Sequence, residues 1–330
     1  MSSGLNEADG RRTDWKEVDC VLCRVPSTRI VIREDGCTCK QCPNCGLIYV
    51  SPRPQESEIE QTYAEGDDFL ESYPAQSYWH VLHAMHNLRI VRRYSRPGRI
   101  LELGSGGGHF LSEAKRRGYR PVGIELNKSR AKRIREEVGV PCEESPLSSA
   151  SFPGESFDVL YHCDTISHLS NPIEQFQMMR SRLAPGGVMV FETGNLGDVD
   201  ARYYREYESF LLPEHLFSFG IPSLRKLLDQ TGFRLVRIHA YNQLPFLRVY
   251  RRLKAFADRL RRPSTGRRVD GVRTSASSSI ISSIGSSPLL RAAATMAYSA
   301  LYVLRYPLGS IAPKRGRPQT LVVVARRTPD

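Results

Sequence analysis

The 330-residue chain predicts an α/β fold: a seven-stranded, mostly parallel sheet with helices on both faces, behind a small cysteine-rich N-terminal module. Three observations predict it. Residues 99–108, Arg-Ile-Leu-Glu-Leu-Gly-Ser-Gly-Gly-Gly, set a short apolar strand directly before a glycine turn, and residues 109–117 then open a helix that Gly118 stops. Apolar runs at 121–125, 156–162, 183–192, 233–241 and 319–326 supply further strands between polar, helical stretches. Six of the eight cysteines crowd into residues 20–45. Strand, glycine turn and helix in that order make the sheet Rossmann-like.

The glycine rhythm is Glu102-x-Gly104-x-Gly106-x-Gly108, not the dinucleotide pattern G-x-G-x-x-G. Gly104, Ser105, Gly106 and Gly108 let the backbone approach a nucleotide-like ligand closely. A dinucleotide fold aims a helix N-terminus at a pyrophosphate, and an acid at the strand end would repel that anion. Glu102 suits instead a ligand carrying an ammonium and a sulfonium. Glu125 ends the next strand, 17 residues past Gly108, where it can accept hydrogen bonds from both ribose hydroxyls. Leu126 and Cys163 are assigned to the same site. The pattern resembles motif I of the class I S-adenosylmethionine (SAM)-dependent methyltransferases, which implies SAM as cofactor.

Composition is that of a globular protein, 40% hydrophobic and 25% charged, with a net charge of +12. The length accommodates one α/β domain of roughly 200–250 residues plus attachments. Residues 1–16 are polar and carry no apolar core, and no run of about 18 apolar residues occurs, so a cytoplasmic location is expected.

Cys20-Val-Leu-Cys23 and Cys42-Pro-Asn-Cys45-Gly46 are two C-x-x-C knuckles separated by 18 residues, the spacing of a tetrahedral structural Zn2+ site. Arg29–Arg33 alternates like a strand between them, the plan of a zinc ribbon. Residues 1–55 are read as this ribbon with a disordered N-terminus. Cys37 or Cys39 could replace Cys42, but only Cys42 with Cys45 has knuckle spacing and a following glycine. A reducing compartment disfavours disulfides. The ribbon exit, C-G-L-x-Y-x-x-P-R-P, followed by a SAM domain resembles a large bacterial group of methyltransferases over residues 20–245 and the final strand. Many of that group act on sugars or other small metabolites.

Residues 56–97 read as a helical cap containing Tyr63, Phe69, Tyr73, Tyr78 and Trp79, with His80, His83 and His86 at i, i+3 and i+6. The resemblance implies that this cap covers the SAM site, with Tyr63 or Tyr73 near its methionine end. Asp164–Pro172 resembles the family's V-L-E-H-L-x-D-P, with Ser167 in place of the glutamate and His168 retained. A helix over Leu224–Gln230, capped by Ser223, precedes the sixth strand. The seventh, 319–326, is implied to insert antiparallel between the fifth and sixth. The methyltransferase domain is thus 98–244 with 319–328, interrupted by an insertion at 245–318.

That insertion holds most of the basic excess: residues 248–273 contain ten Arg or Lys against two Asp. Phe246, Val249, Tyr250, Leu253, Phe256, Ala257 and Leu260 repeat at helical spacing, a serine-rich linker follows at 275–287, and a second apolar helix spans 289–304. Through 246–304 the chain could meet the inner face of a membrane or a phosphate-rich ligand; docking on the protein itself or in a homodimer competes.

No Asn/Asp-Pro-Pro-Tyr/Phe tetrad follows the fourth strand, so oxygen or carbon acceptors are favoured over amines. Pro213–Phe219 resembles the Tyr-x-Glu-His-x-x-x-Phe/Tyr segment of zinc-containing sugar C-methyltransferases. By that resemblance Glu214 and His215 are the catalytic pair, with His215 as general base; Leu212 stands where the tyrosine should be. The expected acceptor is a small molecule, a sugar or nucleotide-sugar. Two other readings compete: an RNA methyltransferase gripping phosphates through ribbon and insertion, and a SAM-binding protein without catalysis.

Overall fold

The computed structural model describes residues 15–55, 58, 74–148, 156–249, 251–252 and 304–329, with backbone only at 74–79. Tyr63, Phe69, Tyr73, the side chains of Tyr78 and Trp79, the 275–287 linker and nearly all of the second apolar helix lie outside them.

At the N-terminus, β1 (Ile30–Glu34), β2 (Cys37–Gln41) and β3 (Ile48–Val50) pair antiparallel. The cap contributes α1 (Pro74–Tyr94). The main sheet follows: β4 (Arg99–Leu103), α2 (His109–Arg116), β5 (Arg120–Ile124), α3 (Lys128–Arg133), β6 (Cys142–Glu143), β7 (Phe157–Cys163), α4 (Pro172–Arg182) and β8 (Leu183–Gly194). After β9 (Phe217–Ser218) come α5 (Ile221–Gln230), β10 (Phe233–Asn242) and β11 (Gln319–Arg327). Sheet order is β10-β11-β8-β7-β4-β5-β6, and β11 lies antiparallel between β8 and β10, as expected. This is a Rossmann-like α/β fold.

The central strands are apolar on both faces because helices cover both. One face packs Leu101, Leu160, Met189 and Val323 on Phe176, Met179, Leu224 and Leu227 of α4 and α5. The other packs Ile100, Val159, Val190 and Val324 on Leu88 and Val91 of α1 and Phe110 and Ala114 of α2. The helix before β10 starts at Ile221, three residues earlier than the sequence suggested. Pro222 sits in its first turn, where a missing N–H costs nothing, and Ser223 caps from inside, accepting the Gly220 N–H at 2.9 Å.

The ribbon shares the first of these cores. Cys20, Leu22, Cys42, Cys45, Leu47 and Tyr49 belong to the same buried cluster as Leu160, Met189 and Leu224. β9, more than 160 residues downstream of β3, adds a fourth strand to the ribbon sheet. The first helical stretch of the insertion is partly committed to the protein: Arg248 and Arg251 pair with the buried Glu206 at 3.2 and 3.1 Å. No helix among the described residues is long and apolar enough to cross a membrane.

His162 on β7 is fully buried, stacks on Phe191 at 4.8 Å, and neither ring nitrogen has a hydrogen-bond partner among the described residues. Burial pushes its pKa down to about 3. The unfolded chain takes up this proton below about pH 6.5, whereas the folded chain does not until about 3, so stability is lost as pH falls through that window. The slope from this group is about 1.4 kcal/mol per pH unit. His162→Phe is expected to flatten it, which urea midpoints measured from pH 7 to 4 would show; an unchanged slope would refute the assignment.

Candidate active site

The turn after β4 is a cradle. Gly104, Gly106 and Gly108 all take positive φ, at 71°, 51° and 73°. A Cβ on Gly104 would stand 3.0 Å from Thr165 Oγ1, whereas one on Gly106 meets no protein atom within 4 Å and would project into open space. Glu125 fastens the turn: one carboxylate oxygen accepts the Gly106 N–H at 2.7 Å, the other the Asn127 N–H at 3.0 Å. Each oxygen keeps a second lone pair for a ligand hydroxyl.

Beside the cradle lies a cavity of about 320 Å3. Gly104, Gly106, Glu125, Leu126 and Cys163 line it, and Pro146, Leu147 and Leu169 give it an apolar end. Glu102, Ser105 and Gly108 stand behind its wall. Ser105 Oγ donates to the Glu102 carbonyl at 3.2 Å, and Gly108 caps α2. Burial, and then the neighbouring Glu125, pushes the Glu102 carboxyl well above the usual carboxylate range. Its Oε2 is buried without a hydrogen-bond partner among the described residues. A cationic ligand with ribose hydroxyls and a flat apolar base fits these residues, so the cradle fits SAM.

A second cavity, about 460 Å3, meets the first at Cys163 and Asp164. His83, Glu192, Tyr207, Gln243, Arg305 and Gln319 line it. Glu192 ends the apolar run of β8 and is buried. It accepts Nε2–H of His83 and Nδ2–H of Asn87, both at 2.8 Å, with the Arg305 guanidinium at 3.8 Å. Burial alone would raise its pKa, but His83 and Arg305 outweigh burial and hold the carboxyl at about 2. His83, Cys163 and Glu192 also gather within 4.8 Å, and the carboxylate already accepts hydrogen bonds from His83 and Asn87. These contacts make a hydrogen-bonded network around Glu192. Asp164 stands at φ 51°, a conformation uncommon outside glycine.

The three cap histidines do not converge. His80 stacks on His109 at 5.0 Å, His83 reaches Glu192, and His86 stacks on Tyr306 at 3.5 Å.

Glu214 and His215 line neither cavity. Glu214 is exposed, and its backbone carbonyl accepts Nδ1–H of His168 at 3.0 Å. The His215 ring meets the His168 ring edge-on at 4.8 Å, and His168 lines the cradle cavity. The ribbon holds this loop: Glu34 of β1 accepts the N–H groups of Phe210 and Leu212 at 3.0 and 3.1 Å, and Val50 N–H reaches the Leu216 carbonyl at 2.9 Å.

The Sγ atoms of Cys20, Cys23, Cys42 and Cys45 lie within 4.8 Å of one another. Both knuckles close alike: Cys20 N–H bonds Val25 O at 3.1 Å, and Cys42 N–H bonds Leu47 O at 2.8 Å. Arg24 and Gly46 take the equivalent positive-φ corner, at 54° and 73°. Cys37 and Cys39 are buried in a separate cluster with Ile32, Ile48 and Val50. Four thiols without a carboxylate suit Zn2+ and leave no position for a substrate.

Sequence reasoning overlooked Glu192, Asn87, Arg305 and Asp164. The one local signal was a carboxylate ending the run Val-Met-Val-Phe.

Residues 78–238 match a family model described as a methyltransferase domain. The ubiquinone biosynthesis O-methyltransferase of Xanthomonas campestris pv. campestris is 27% identical over 216 residues, 56% of this chain and 89% of that one. The protein of the same description from Cereibacter sphaeroides is 28% identical over 102 residues, 29% of this chain, which spans 41% of that relative's length. Among solved structures, coclaurine N-methyltransferase bound to N-methylheliamine and S-adenosylhomocysteine aligns with a TM-score of 0.47 and 13% identity, over 74% of this chain and 72% of that one. Family match, strand order and glycine cradle agree: the chain carries a class I SAM-dependent methyltransferase domain.

Proposed function

We propose that this chain transfers the methyl group of SAM to an oxygen of a small, hydroxyl-rich acceptor of the sugar or nucleotide-sugar class. The observation that carries the reading is the meeting of the two cavities at Cys163 and Asp164, over the C-terminal ends of β7 and β8. Bound in the cradle, SAM supplies an electrophilic methyl on a sulfonium. The chain then has to align the acceptor and take its proton. The second cavity presents His83, Gln243, Arg305, Gln319 and Thr320, side chains suited to hydroxyl groups. Relatives named as O-methyltransferases support oxygen as the methylated atom.

His83 is the proton acceptor in this reading. Glu192 takes its Nε2–H, which fixes the tautomer with the lone pair on Nδ1 and stabilises the imidazolium formed on proton uptake. His215 positions His168 at the wall of the cradle, and Zn2+ on Cys20, Cys23, Cys42 and Cys45 braces the ribbon that holds the 210–216 loop.

With labelled SAM and a panel of sugars and nucleotide-sugars, wild type is expected to turn over. Glu192→Gln and His83→Ala should lower kcat by about 100-fold to 10,000-fold while SAM affinity stays within about threefold. Retained turnover in both variants would overturn the assignment of the base, and no methylation of any hydroxylated acceptor would overturn the acceptor class. His215→Ala is expected to cost less than either, and a larger loss would return the catalytic role to the Glu214–His215 pair.

A further inference from the structure

On the other side of α1 lies a cavity of about 680 Å3 that methyl transfer does not use. Arg89 and Arg93, one turn apart on α1, face Arg237 of β10 and Lys314 across it, and no Asp or Glu among the described residues lines it. None of the three arginines has an ion-pair or hydrogen-bond partner among the described residues. Like charges one helical turn apart oppose each other, so an arrangement that gathers them without a counter-charge asks for an anion.

A backbone irregularity builds this site. In β10 the apolar residues Phe233 and Leu235 face α5, and strict alternation would send Arg237, His239 and Tyr241 to that same side. The β10–β11 register slips between Leu235 and Arg237, inserting Val236 as an extra residue. Beyond the bulge Ile238 and Ala240 pack toward α5, while Tyr241 joins the α1 side and His239 meets Tyr94 at 3.1 Å. The bulge thereby turns Arg237 toward α1.

The floor is aromatic and rigid. His86 stacks on Tyr306, and Tyr241 packs edge-on against both at 5.3 and 5.0 Å. Burial drives His86 down to about 3, so the floor is uncharged and the charge sits at the rim. Burial, and then Arg93 and Arg237, lower the pKa of His239, and both arginines line the cavity beside it.

We propose that this cavity binds a phosphate-bearing ligand carrying at least two negative charges, held by Arg89, Arg93 and Arg237 over the His86–Tyr306–Tyr241 floor. It is separate from the methyl-donor site: His83 and Arg305 face the acceptor cavity, and their neighbours His86 and Tyr306 face this one.

The test is calorimetric titration of the full chain with inorganic pyrophosphate in low-salt chloride buffer, alongside co-sedimentation with phosphatidylcholine vesicles with and without phosphatidic acid. Pyrophosphate binding that weakens about tenfold or more in Arg89→Gln/Arg93→Gln, with SAM binding unchanged, supports a soluble ligand. Vesicle binding that needs phosphatidic acid and is lost in the same variant, without pyrophosphate binding, supports a lipid headgroup. Should the double variant fail to fold, Arg237→Gln replaces it. Absence of both kinds of binding, or binding indifferent to these arginines, overturns the proposal.

Discussion

Gly106→Val is expected to abolish SAM binding in a protein that still folds. Gly106 sits at φ 51°, and a Cβ there meets no protein atom within 4 Å, so the cost to the apo fold is the left-handed backbone strain, about 1–2 kcal/mol. The same Cβ projects into open space beside the cradle, where a bound cofactor would lie. Affinity should fall by at least about 100-fold, equivalent to about 2.7 kcal/mol. Gly108→Val is the contrast: its Cβ lands 2.9 Å from Ile134 Cγ1, so it damages packing by about 1–3 kcal/mol and lowers the melting temperature first. Titration calorimetry with SAM beside thermal melts separates the two outcomes. Normal SAM affinity in Gly106→Val would place the donor somewhere else on the chain.

Cys45→Ser should remove one equivalent of zinc per chain and lower the melting temperature by at least about 10 °C. Metal binding to four thiolates is itself folding energy, and losing several kcal/mol shifts a domain of this size by about 2–4 °C for each. The loss does not stay within the ribbon. Cys20, Cys42 and Cys45 share a buried cluster with Leu160 and Met189 of the main sheet, so ribbon and sheet should melt in a single transition. Elemental analysis and scanning calorimetry of wild type and variant check both statements. An equal zinc content in the variant, or a wild type that melts identically after chelation, would refute the tetrathiol site.

The glycine cradle and each C-x-x-C knuckle were legible because they depend on neighbours a few residues apart, whereas the strand order was read from the family resemblance. Spacing alone separated Cys42 and Cys45 from Cys37 and Cys39. The Glu192 network was not legible: His83, Asn87 and Arg305 come from the cap and the far end of the insertion, and only the folded sheet brings them to β8. The two-residue strand Phe217–Ser218 was equally invisible, since its partner lies in the ribbon and its own pattern is too short to declare a period. The Glu214–His215 pair was read from resemblance, which carries no information about how far a loop stands from a cavity. The β10 bulge did leave a trace. Apolar residues at 233 and 235 change phase to 238 and 240, a slip that alternation registers once it is known to matter.

The insertion between β10 and β11 has both feet on one rim. Leu247 near its start, Arg305 and Pro318 near its end, and Gln243, Gln319 and Thr320 that flank it all line the cavity assigned to the acceptor, and none of them lines the cradle cavity. In the proposed reading the insertion's two ends contribute to acceptor choice, while the glycine turn for the donor lies in another stretch of chain and the two cavities share only Cys163 and Asp164 among the described residues. Transplanting that loop from a cousin enzyme is a route to new selectivity that leaves the methyl supply untouched.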